Sequence, residues 1–521
     1  MSHNADESVI LGQPPVARPA TASCFQDLNL NLIFEQIQQD CPVPIKDIFY
    51  QPLTTIEAVQ RRQAIFRDLL RPAGYQLMAH FVTAAAETAA KIKQAHHDWT
   101  ADQQAADLLT ALYEQHEQLE KLTEALAHFQ PQSLGLQKLQ ADLDTYLQAP
   151  ATQQLLTMMR TLTSALVQVQ FYLTINGRYV RVTTNQLAAS NSAEVATKLF
   201  GPIMTDLSEL YRPNASIKTA EAVNGDTSLQ ANIVVQLHKL YPAVFAQLTT
   251  FYQQYQQYTV PGYEQVVTEL NWYLAVQRYT QRLARMNQLN FVLPTLVELG
   301  APERIEAGFD LELAYVQAGK QTAVVPNDYV LNPNEQFLIV AGPNQGGKTT
   351  YIRMIGQAYY LAALGMPIPG SRATLHLASH VLTHFERQEK ATQLTGLLQH
   401  DIERLAALYQ TVDEHSIVLM NELFSSTTTV DAEKLGQLVL THLTAKQAHG
   451  VYVTFLESLA KLPHMVPMQA QIIAGTTIRA YKIYRCSETV GTYATSLLNK
   501  YQLTTKAIER RLKHASQSNH A

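Results

Sequence analysis

Apolar residues recur every three or four positions through most of the first half of the chain, which is the spacing of helices with one buried face. In "IEAVQRRQAIFRDLL" (Ile56–Leu70) the apolar stripe consists of Ile56, Val59, Ile65, Phe66 and Leu69. In "AADLLTALYEQHEQLEKLTEALAHF" (Ala105–Phe129) it consists of Leu108, Leu112, Leu119, Leu122 and Leu126. Few glycines or prolines interrupt residues 28–158, so the pattern predicts long antiparallel helices.

The pattern changes after residue 168. The segment "VQFYLTINGRYVRVTT" (Val169–Thr184) is rich in β-branched and aromatic residues around Asn176-Gly177, a dipeptide that favours a type I′ turn. It predicts a β-hairpin. Helical spacing resumes near Ser228 and continues to about Asn287, and we predict that an aromatic stripe within it serves packing rather than a cofactor: Tyr252, Tyr255 and Tyr258.

Short apolar runs alternate with helical patterns after about residue 300. The runs include "FLIV" (Phe337–Val340), Ile417–Met420, "AQIIAG" (Ala470–Gly475) and "YKIYR" (Tyr481–Arg485). Such alternation predicts an α/β domain with a mainly parallel sheet and helices on both faces, whose ligand site lies at the carboxyl edge of the strands. The segment "KLPHMVPM" (Lys461–Met468) is predicted to be a loop.

The chain has 521 residues, which is too long for one hydrophobic core. We therefore expect a flexible tail at residues 1–27, a mainly helical domain at residues 28–295, an α/β nucleotide-binding domain at residues 296–512 and a short tail at residues 513–521.

A glycine-rich loop follows the first of these runs. Residues 342–349, "GPNQGGKT", fit the pattern G-x-x-x-x-G-K-[ST] between a strand and a helix, as a P-loop requires. Glycines let backbone N–H groups converge on phosphate oxygens, Lys348 reaches the β- and γ-phosphates, and the Thr349 hydroxyl ligates Mg²⁺. ATP and Mg²⁺ are therefore the expected ligands. The predicted contacts are Gly342, Pro343, Asn344, Gln345, Gly346, Gly347, Lys348, Thr349 and Thr350.

A second motif supplies the catalytic candidates. The run Ile417–Met420 ends in Asn421-Glu422, where P-loop ATPases usually have Asp-Glu. Glu422 can orient or deprotonate the attacking water, with Lys348 stabilising the phosphoryl charge. Asn421 keeps an acceptor oxygen but lacks the charge with which an Asp holds the water shell of the metal. We expect weaker Mg²⁺ binding, through water at Asn421, and slower hydrolysis.

These residues resemble the ATPase half of the DNA mismatch repair MutS family. "GPNQGGKTTYIR" is similar to that family's P-loop, "VVPND" (Val324–Asp328) to its adenine-side segment, and "FSSTTTVDAEKLG" to the segment after its Asp-Glu pair. "IFYQPLTTIEAVQRRQAIFRDLL" (Ile48–Leu70) resembles its helical core, and "TYATSLLNKYQLTTKAIERRLKHA" its closing helices. The resemblance covers about residues 300–510 closely and 28–290 more loosely.

The resemblance implies further roles. Asn327 and Asp328 would lie against the adenine, the helical region would be a core and lever, and two ATPase domains would pair as a homodimer. Ser425, Ser426 and Thr427 would then contact the partner subunit.

Several departures from the family accompany these matches. The helical core begins at once, so we expect no mismatch-reading domain, and we expect no Smr domain at the other end. Asn421 replaces Asp, a glycine at or near Gly396 replaces the signature serine, and Phe455-Leu456 takes the place of a Thr-His strand end. The implied protein is a shortened MutS-like ATPase without classical mismatch recognition.

Composition limits the partners. The net charge of −5 argues against a general electrostatic grip on DNA or on an anionic membrane, although a local basic groove stays open. Three distant cysteines, the lack of an 18-residue apolar run and the lack of a signal pattern in the first residues lead us to expect reduced thiols and a cytoplasmic location.

Gln388 or Glu389 could sense Mg²⁺ or γ-phosphate, and a plain solvated loop is an equal alternative. His380 and His384 are predicted to lie in a strand rather than to bind metal.

The expected function is slow Mg²⁺-ATP hydrolysis that drives a conformational switch in DNA repair or in binding of a DNA structure. Two alternatives stay open: a non-hydrolysing nucleotide switch or scaffold, motivated by Asn421, and a DNA-junction or DNA-clamp binder. A transporter ATPase subunit is disfavoured because the chain lacks the signature motif and any membrane segment.

Overall fold

The structure is a computed structural model that describes residues 23–97, 100–176, 179–183, 227–320, 322–342, 345–386, 397–473 and 479–487. Predictions for Gly177, Pro343, Asn344, Gln388, Glu389, Gly396 and the closing helices lie outside these residues. Within them, the chain divides into two compact units, one built from residues 23–66 and 271–487 and the other from residues 67–270. The predicted boundary near residue 295 differs from this division and stays a prediction.

The unit of residues 67–270 is mainly helical. Its helices begin where the sequence supplies caps or a proline in the first turn: Thr100 and Ser133 accept from backbone N–H groups of the turns that they begin, and Pro72, Pro150 and Pro242 start helices. The elements are α4 (Pro72–Ala95), α5 (Ala101–Phe129), α6 (Leu134–Gln148), α7 (Pro150–Val167), β1 (Tyr172–Asn176), β2 (Tyr179–Thr183), α8 (Thr227–Leu240) and α9 (Pro242–Tyr255). Helix α3 (Ile56–Leu70) enters this unit and α10 (Tyr263–Asn287) leaves it.

The helical predictions are confirmed in these elements. The five leucines of the predicted stripe in α5 are buried, and β1 pairs with β2 as an antiparallel hairpin. Tyr252, Tyr255 and Tyr258 pack against a core cluster that includes Phe245, Leu248 and Phe251. The aromatic stripe is therefore a packing feature.

The other unit combines helices with strands. Before the division it contains α1 (Ser23–Asp27), α2 (Leu30–Gln39), a 3-10 turn at Lys46–Tyr50 and most of α3. After it come β3 (Phe291–Val292), β4 (Thr295–Val297), β5 (Glu303–Gly308), α11 (Leu311–Lys320), β6 (Asn327–Leu331), β7 (Phe337–Ala341), α12 (Lys348–Ala363), β8 (Ile368–Pro369), β9 (Arg372–His376) and β10 (Val381–Phe385). The last are α13 (Leu397–Thr411), β11 (Ile417–Asn421), α14 (Thr429–Ala445), β12 (His449–Val453), a 3-10 turn at Glu457–Lys461, β13 (Met465–Ile472) and β14 (Arg479–Arg485).

The central sheet has six strands in the order β10-β11-β12-β7-β13-β14, parallel except for β14 at the edge. Strands β7 and β11 are buried at every position, as parallel strands covered on both faces are. The mixed α/β architecture with a mainly parallel sheet is thus confirmed. The prediction of a loop at Lys461–Met468 is wrong at its end, because β13 begins at Met465 beside β7.

Helices cover both faces of this sheet. Val418 and Met420 share a cluster with Leu405 of α13 and Leu440 of α14. Leu419, which alternation places on the opposite face, lies against α12 at Gly356. The helix that follows the glycine-rich loop is therefore held on one face and the helices flanking β11 on the other.

The first helices of the chain pack against α12 in the same unit. The ring of Phe25 lies 5.3 Å from that of Tyr360, and the Tyr360 hydroxyl donates to the Phe49 carbonyl at 2.8 Å. Phe34 stacks on Phe49 with ring centroids 4.5 Å apart. Asp27, in the predicted tail, accepts a 2.7 Å hydrogen bond from the Thr383 hydroxyl of β10. None of the described helices is long and apolar enough to cross a membrane.

A buried polar network joins β5, β9 and α12. His376 Nδ1 donates to a carboxylate oxygen of Glu303 at 2.9 Å, and its Nε2 donates to the His415 carbonyl at 3.1 Å. Tyr359 donates to the other oxygen of Glu303 and lies 3.1 Å from the Tyr329 hydroxyl. Since both ring nitrogens face acceptors, these surroundings favour the protonated form of His376.

Burial alone would raise the pKa of Glu303 and lower that of His376, but their mutual hydrogen bond and charge outweigh it. The pKa of Glu303 therefore lies below its ordinary value of 4.5, and the pKa of His376 lies above its ordinary value of 6.5. The carboxylate contributes stability above pH 4.5 that is lost as pH falls through its folded pKa. The imidazolium contributes stability below pH 6.5 that is lost as pH rises through its folded pKa.

We predict that Glu303→Gln lowers the free energy of unfolding by about 3 kcal/mol, because it leaves a buried cation without its partner. The difference from wild type should be largest between about pH 4.5 and 6.5 and should shrink on either side. Urea unfolding across this range measures it. Glu306→Gln, on the same strand but half-exposed, is the matched control and should change stability by less than about 0.5 kcal/mol. Equal effects of both variants would contradict a special role of the network.

Candidate nucleotide-binding site

The glycine-rich loop lies at the carboxyl end of β7, inside the central sheet, and leads into α12. Gly347 precedes the helix with φ of 88°, a left-handed conformation that favours glycine. Gly342 has φ of 133°, and a Cβ there would lie 2.8 Å from Cβ of Ala470 on β13. Both positions therefore need glycine, and α12 begins directly after the loop, which places the positive end of the helix dipole beside it.

Lys348 is the first residue of α12, and its side chain is only 4% exposed. Its Nζ donates to the Gly342 carbonyl at 2.7 Å, so the amine folds back over the loop. The same nitrogen lies 4.0 Å from Oε1 of Glu422 and 4.5 Å from the ring centroid of Phe455. Burial lowers the pKa of Lys348, and the charge of Glu422 opposes that shift.

Asn421 is the last residue of the buried strand β11 and Glu422 follows it, next to the start of α12. The Thr349 hydroxyl lies 3.4 Å from Oδ1 of Asn421, a long hydrogen bond that joins the two predicted metal-side residues. The Glu422 backbone N–H donates to the Val453 carbonyl at 2.9 Å, which holds its carboxylate beside β12. Burial raises the pKa of Glu422; Lys348 lowers it and Glu386 raises it further. The structure therefore brings Lys348, Thr349, Asn421 and Glu422 together.

A cavity of about 400 Å³ opens from this group of side chains. Part of its lining comes from the loop, the first turn of α12 and Glu422. The rest of the lining is mostly apolar: Leu313, Gln317, Ala323, Val324, Val325, Asn327 and Tyr481. The cavity thus combines charged and polar groups with apolar surface.

Asn327 and Asp328, the residues predicted to lie against the adenine, both form hydrogen bonds within the protein. Asn327 accepts from the Ile483 backbone N–H at 2.7 Å and donates to the Tyr481 carbonyl at 3.0 Å, which joins β6 to β14. Asp328 accepts from the Ala307 backbone N–H at 2.8 Å. Asn327 lines the cavity, whereas Asp328 does not appear in its lining.

The segment predicted to contact a partner subunit lies at the surface after Glu422. Ser425 and Ser426 are exposed and Thr427 is half-buried. The Ser425 hydroxyl donates to Oε1 of Glu386 at 2.5 Å, and Thr428 caps α14 through Asp431. Hydrogen bonds of the Ser425 and Thr428 side chains therefore hold this segment.

Sequence reasoning did not place several residues of this region beside the loop. Leu313 and Gln317 come from α11, Tyr481 from the antiparallel edge strand, and Phe455 from the turn after β12. The helical pattern of "LELAYVQAGK" could have suggested α11, but no local signal places it beside residues 345–350. Among the described residues, no group of three or more His, Cys, Asp or Glu side chains could hold a metal ion.

The fold and the site define a mixed α/β protein with a glycine-rich loop at the carboxyl edge of a mainly parallel sheet. Residues 338–491, from β7 into the end of the sheet, match the family model MutS domain V, an ATPase-type domain. The chain is therefore related to the MutS family through this domain.

Proposed function

We propose that this chain binds Mg²⁺-ATP in the cavity between α11 and the glycine-rich loop, hydrolyses it slowly and changes conformation with nucleotide state. The observation that carries the proposal is the convergence of the Lys348 amine, the loop backbone and Glu422 in the lining of a 400 Å³ cavity whose remaining lining is mostly apolar. Pockets of this size hold small ligands, and a helix N-terminus that follows glycines is suited to phosphate.

The polar part of the cavity lining fits the phosphates. The Lys348 amine already lies beside the loop, and its hydrogen bond to the Gly342 carbonyl can be exchanged for one to a phosphate oxygen. The first turn of α12 lies at a helix N-terminus, whose partial positive charge favours an anion. Together these donors support a P-loop interpretation of the fold.

The apolar part of the cavity lining fits the nucleotide base. Val324, Val325 and Leu313 offer aliphatic surface, and Tyr481 adds a half-exposed ring. The carbonyl and amide of Asn327 are occupied by β14, so we assign that side chain to holding Tyr481 in place rather than to reading the base.

Mg²⁺ would be held by the Thr349 hydroxyl and, through water, by Oδ1 of Asn421; it would add positive charge next to the phosphates. Asn421 supplies one oxygen and no charge. The Glu422 carboxylate lies 4.0 Å from Nζ of Lys348, and burial makes it more basic than an exposed glutamate. It is positioned to accept a proton from an attacking water.

A non-hydrolysing switch is the second candidate, because Asn421 is neutral and already bonded to Thr349. Such a protein would still bind nucleotide at the same residues. The two candidates differ only in turnover.

A homodimer follows from the relationship to MutS proteins. Ser425, Ser426 and Thr427 are surface residues next to Glu422, which would let a partner subunit reach the nucleotide of this one. Contacts made only with the γ-phosphate present would favour the paired state in ATP and release it in ADP.

We predict that Lys348→Ala weakens ATP binding at least about tenfold, because it removes a charge-assisted contact to phosphate. Calorimetric titration measures this, and sedimentation with and without Mg²⁺-ATP reports an ATP-dependent dimer that the variant loses. Lys434→Ala, an exposed lysine of α14, is the control and should behave as wild type. Wild type that takes up no ATP would refute the proposal.

We predict that Asn421→Asp raises the ATP turnover rate roughly tenfold, because it adds the missing charge at the metal side. Glu422→Gln should abolish turnover in both backgrounds. In wild type the rate should fall as pH drops through the raised pKa of Glu422, since its base form is required. Equal, near-zero steady-state turnover in wild type and Glu422→Gln would favour the non-hydrolysing switch.

The family relationship also suggests a role in DNA repair or in binding of a DNA structure. The distribution of charge limits how DNA could be held. Residues 67–270 contain 13 Lys and Arg against 18 Asp and Glu, so the whole net charge of −5 lies in the helical unit. A broad contact between this unit and the phosphate backbone is therefore unfavourable.

We predict that any DNA binding involves at most about two phosphate contacts, so that affinity falls no more than about tenfold between 50 and 200 mM salt. Fluorescence anisotropy with duplex, junction and single-stranded DNA, with and without Mg²⁺-ATP, measures it. A fall of about a thousandfold would contradict the prediction, and absence of ATP-modulated binding to all three would remove the DNA role.

A further inference from the structure

We propose that Phe455 is a positioning residue that holds the Lys348 ammonium in the nucleotide-free site, and that binding of a nucleoside diphosphate or triphosphate displaces its ring. This inference rests on the proposed nucleotide function. It gives the turn after β12 a specific part in that function: Phe455 sets how readily the lysine is released to phosphate.

The geometry around Lys348 carries the proposal. Its Nζ is held by the Gly342 carbonyl at 2.7 Å and lies 4.5 Å from the centroid of the Phe455 ring, within the range of a cation–π interaction. The lysine side chain is almost fully buried and the ring is half-exposed, so water screens this attraction only in part. The ring therefore contributes to the stability of the folded-back amine.

A phosphate that binds the same ammonium would be repelled by the ring. The face of an aromatic ring carries negative charge density, which attracts a cation and repels an anion. A β- or γ-phosphate oxygen that binds Nζ therefore competes with the Phe455 face. Nucleotide binding must give up the cation–π interaction that the free protein possesses.

The surroundings of Phe455 allow the ring to leave. Its side chain is 54% exposed, so rotation into solvent opens no cavity in the core. The backbone beside it is fixed: the Thr454 N–H donates to the Val340 carbonyl of β7 at 3.1 Å, and its hydroxyl accepts from the Leu456 N–H at 3.1 Å. The ring can therefore move about its own side-chain bonds while the strand stays in place.

The test compares ADP and AMP in calorimetric titrations of the full chain, because AMP lacks the β-phosphate that Lys348 reaches. Phe455→Leu keeps an apolar side chain and removes the ring; it should bind ADP about 2-fold to 30-fold more tightly than wild type, with AMP affinity unchanged. Phe455→Met repeats the test with a second ring-free side chain. Phe455→Tyr keeps the aromatic face and should bind both nucleotides as wild type does.

Tyr484→Leu, which removes another half-exposed ring on the edge strand, is the matched control and should change neither affinity. ADP affinity that is unchanged or weaker in Phe455→Leu and Phe455→Met overturns the inference, as does an equal change for AMP. Wild type that binds neither ADP nor ATP refutes the proposed nucleotide function itself, and the inference with it.

Discussion

The burial of α12 is the constraint on which the nucleotide site depends. Thirteen residues between Lys348 and Ala363 are buried, which leaves this helix little freedom to shift. The helix begins directly after the glycine-rich loop, so its position determines where Lys348 lies. Strand β7, buried at every residue, fixes the other end of the loop. Two buried elements thus fix the residues on either side of the loop.

Two side chains of this helix form hydrogen bonds with the backbone of distant parts of the chain. Gln357, fully buried, donates to the Leu28 carbonyl at 3.0 Å and accepts from the Leu311 backbone N–H at 2.9 Å. Arg353 donates to the Asp27 carbonyl at 2.9 Å. Such bonds orient packing that apolar contacts alone leave loosely specified, because an unmet buried polar group costs about 1–3 kcal/mol. They also make the first helices of the chain part of the structure that supports the site.

The limits of prediction from this sequence follow from the range of the interactions. Periodicity located α5, the hairpin of β1 and β2, and β7 and β11, because each leaves a pattern within about 30 residues of chain. The motif placed Lys348 and Thr349 for the same reason. Tyr481 and Leu313 reach the cavity through strand order and helix packing, which no local pattern encodes. Asp27 was assigned to a tail because its partners Thr383 and Arg404 lie more than 350 residues away.

Two departures identified in the sequence lie beside the proposed phosphate site. Oδ1 of Asn421 is next to the Thr349 hydroxyl, and the ring of Phe455 is next to the Lys348 ammonium. An Asp at position 421 would bring to the metal side a negative charge that the neutral amide does not supply. The ring of Phe455 stabilises the ammonium where it donates to the Gly342 carbonyl and so opposes its transfer to phosphate. The neutral residue at 421 therefore weakens the metal side on which hydrolysis depends, whereas the aromatic residue at 455 acts on the lysine that binds phosphate.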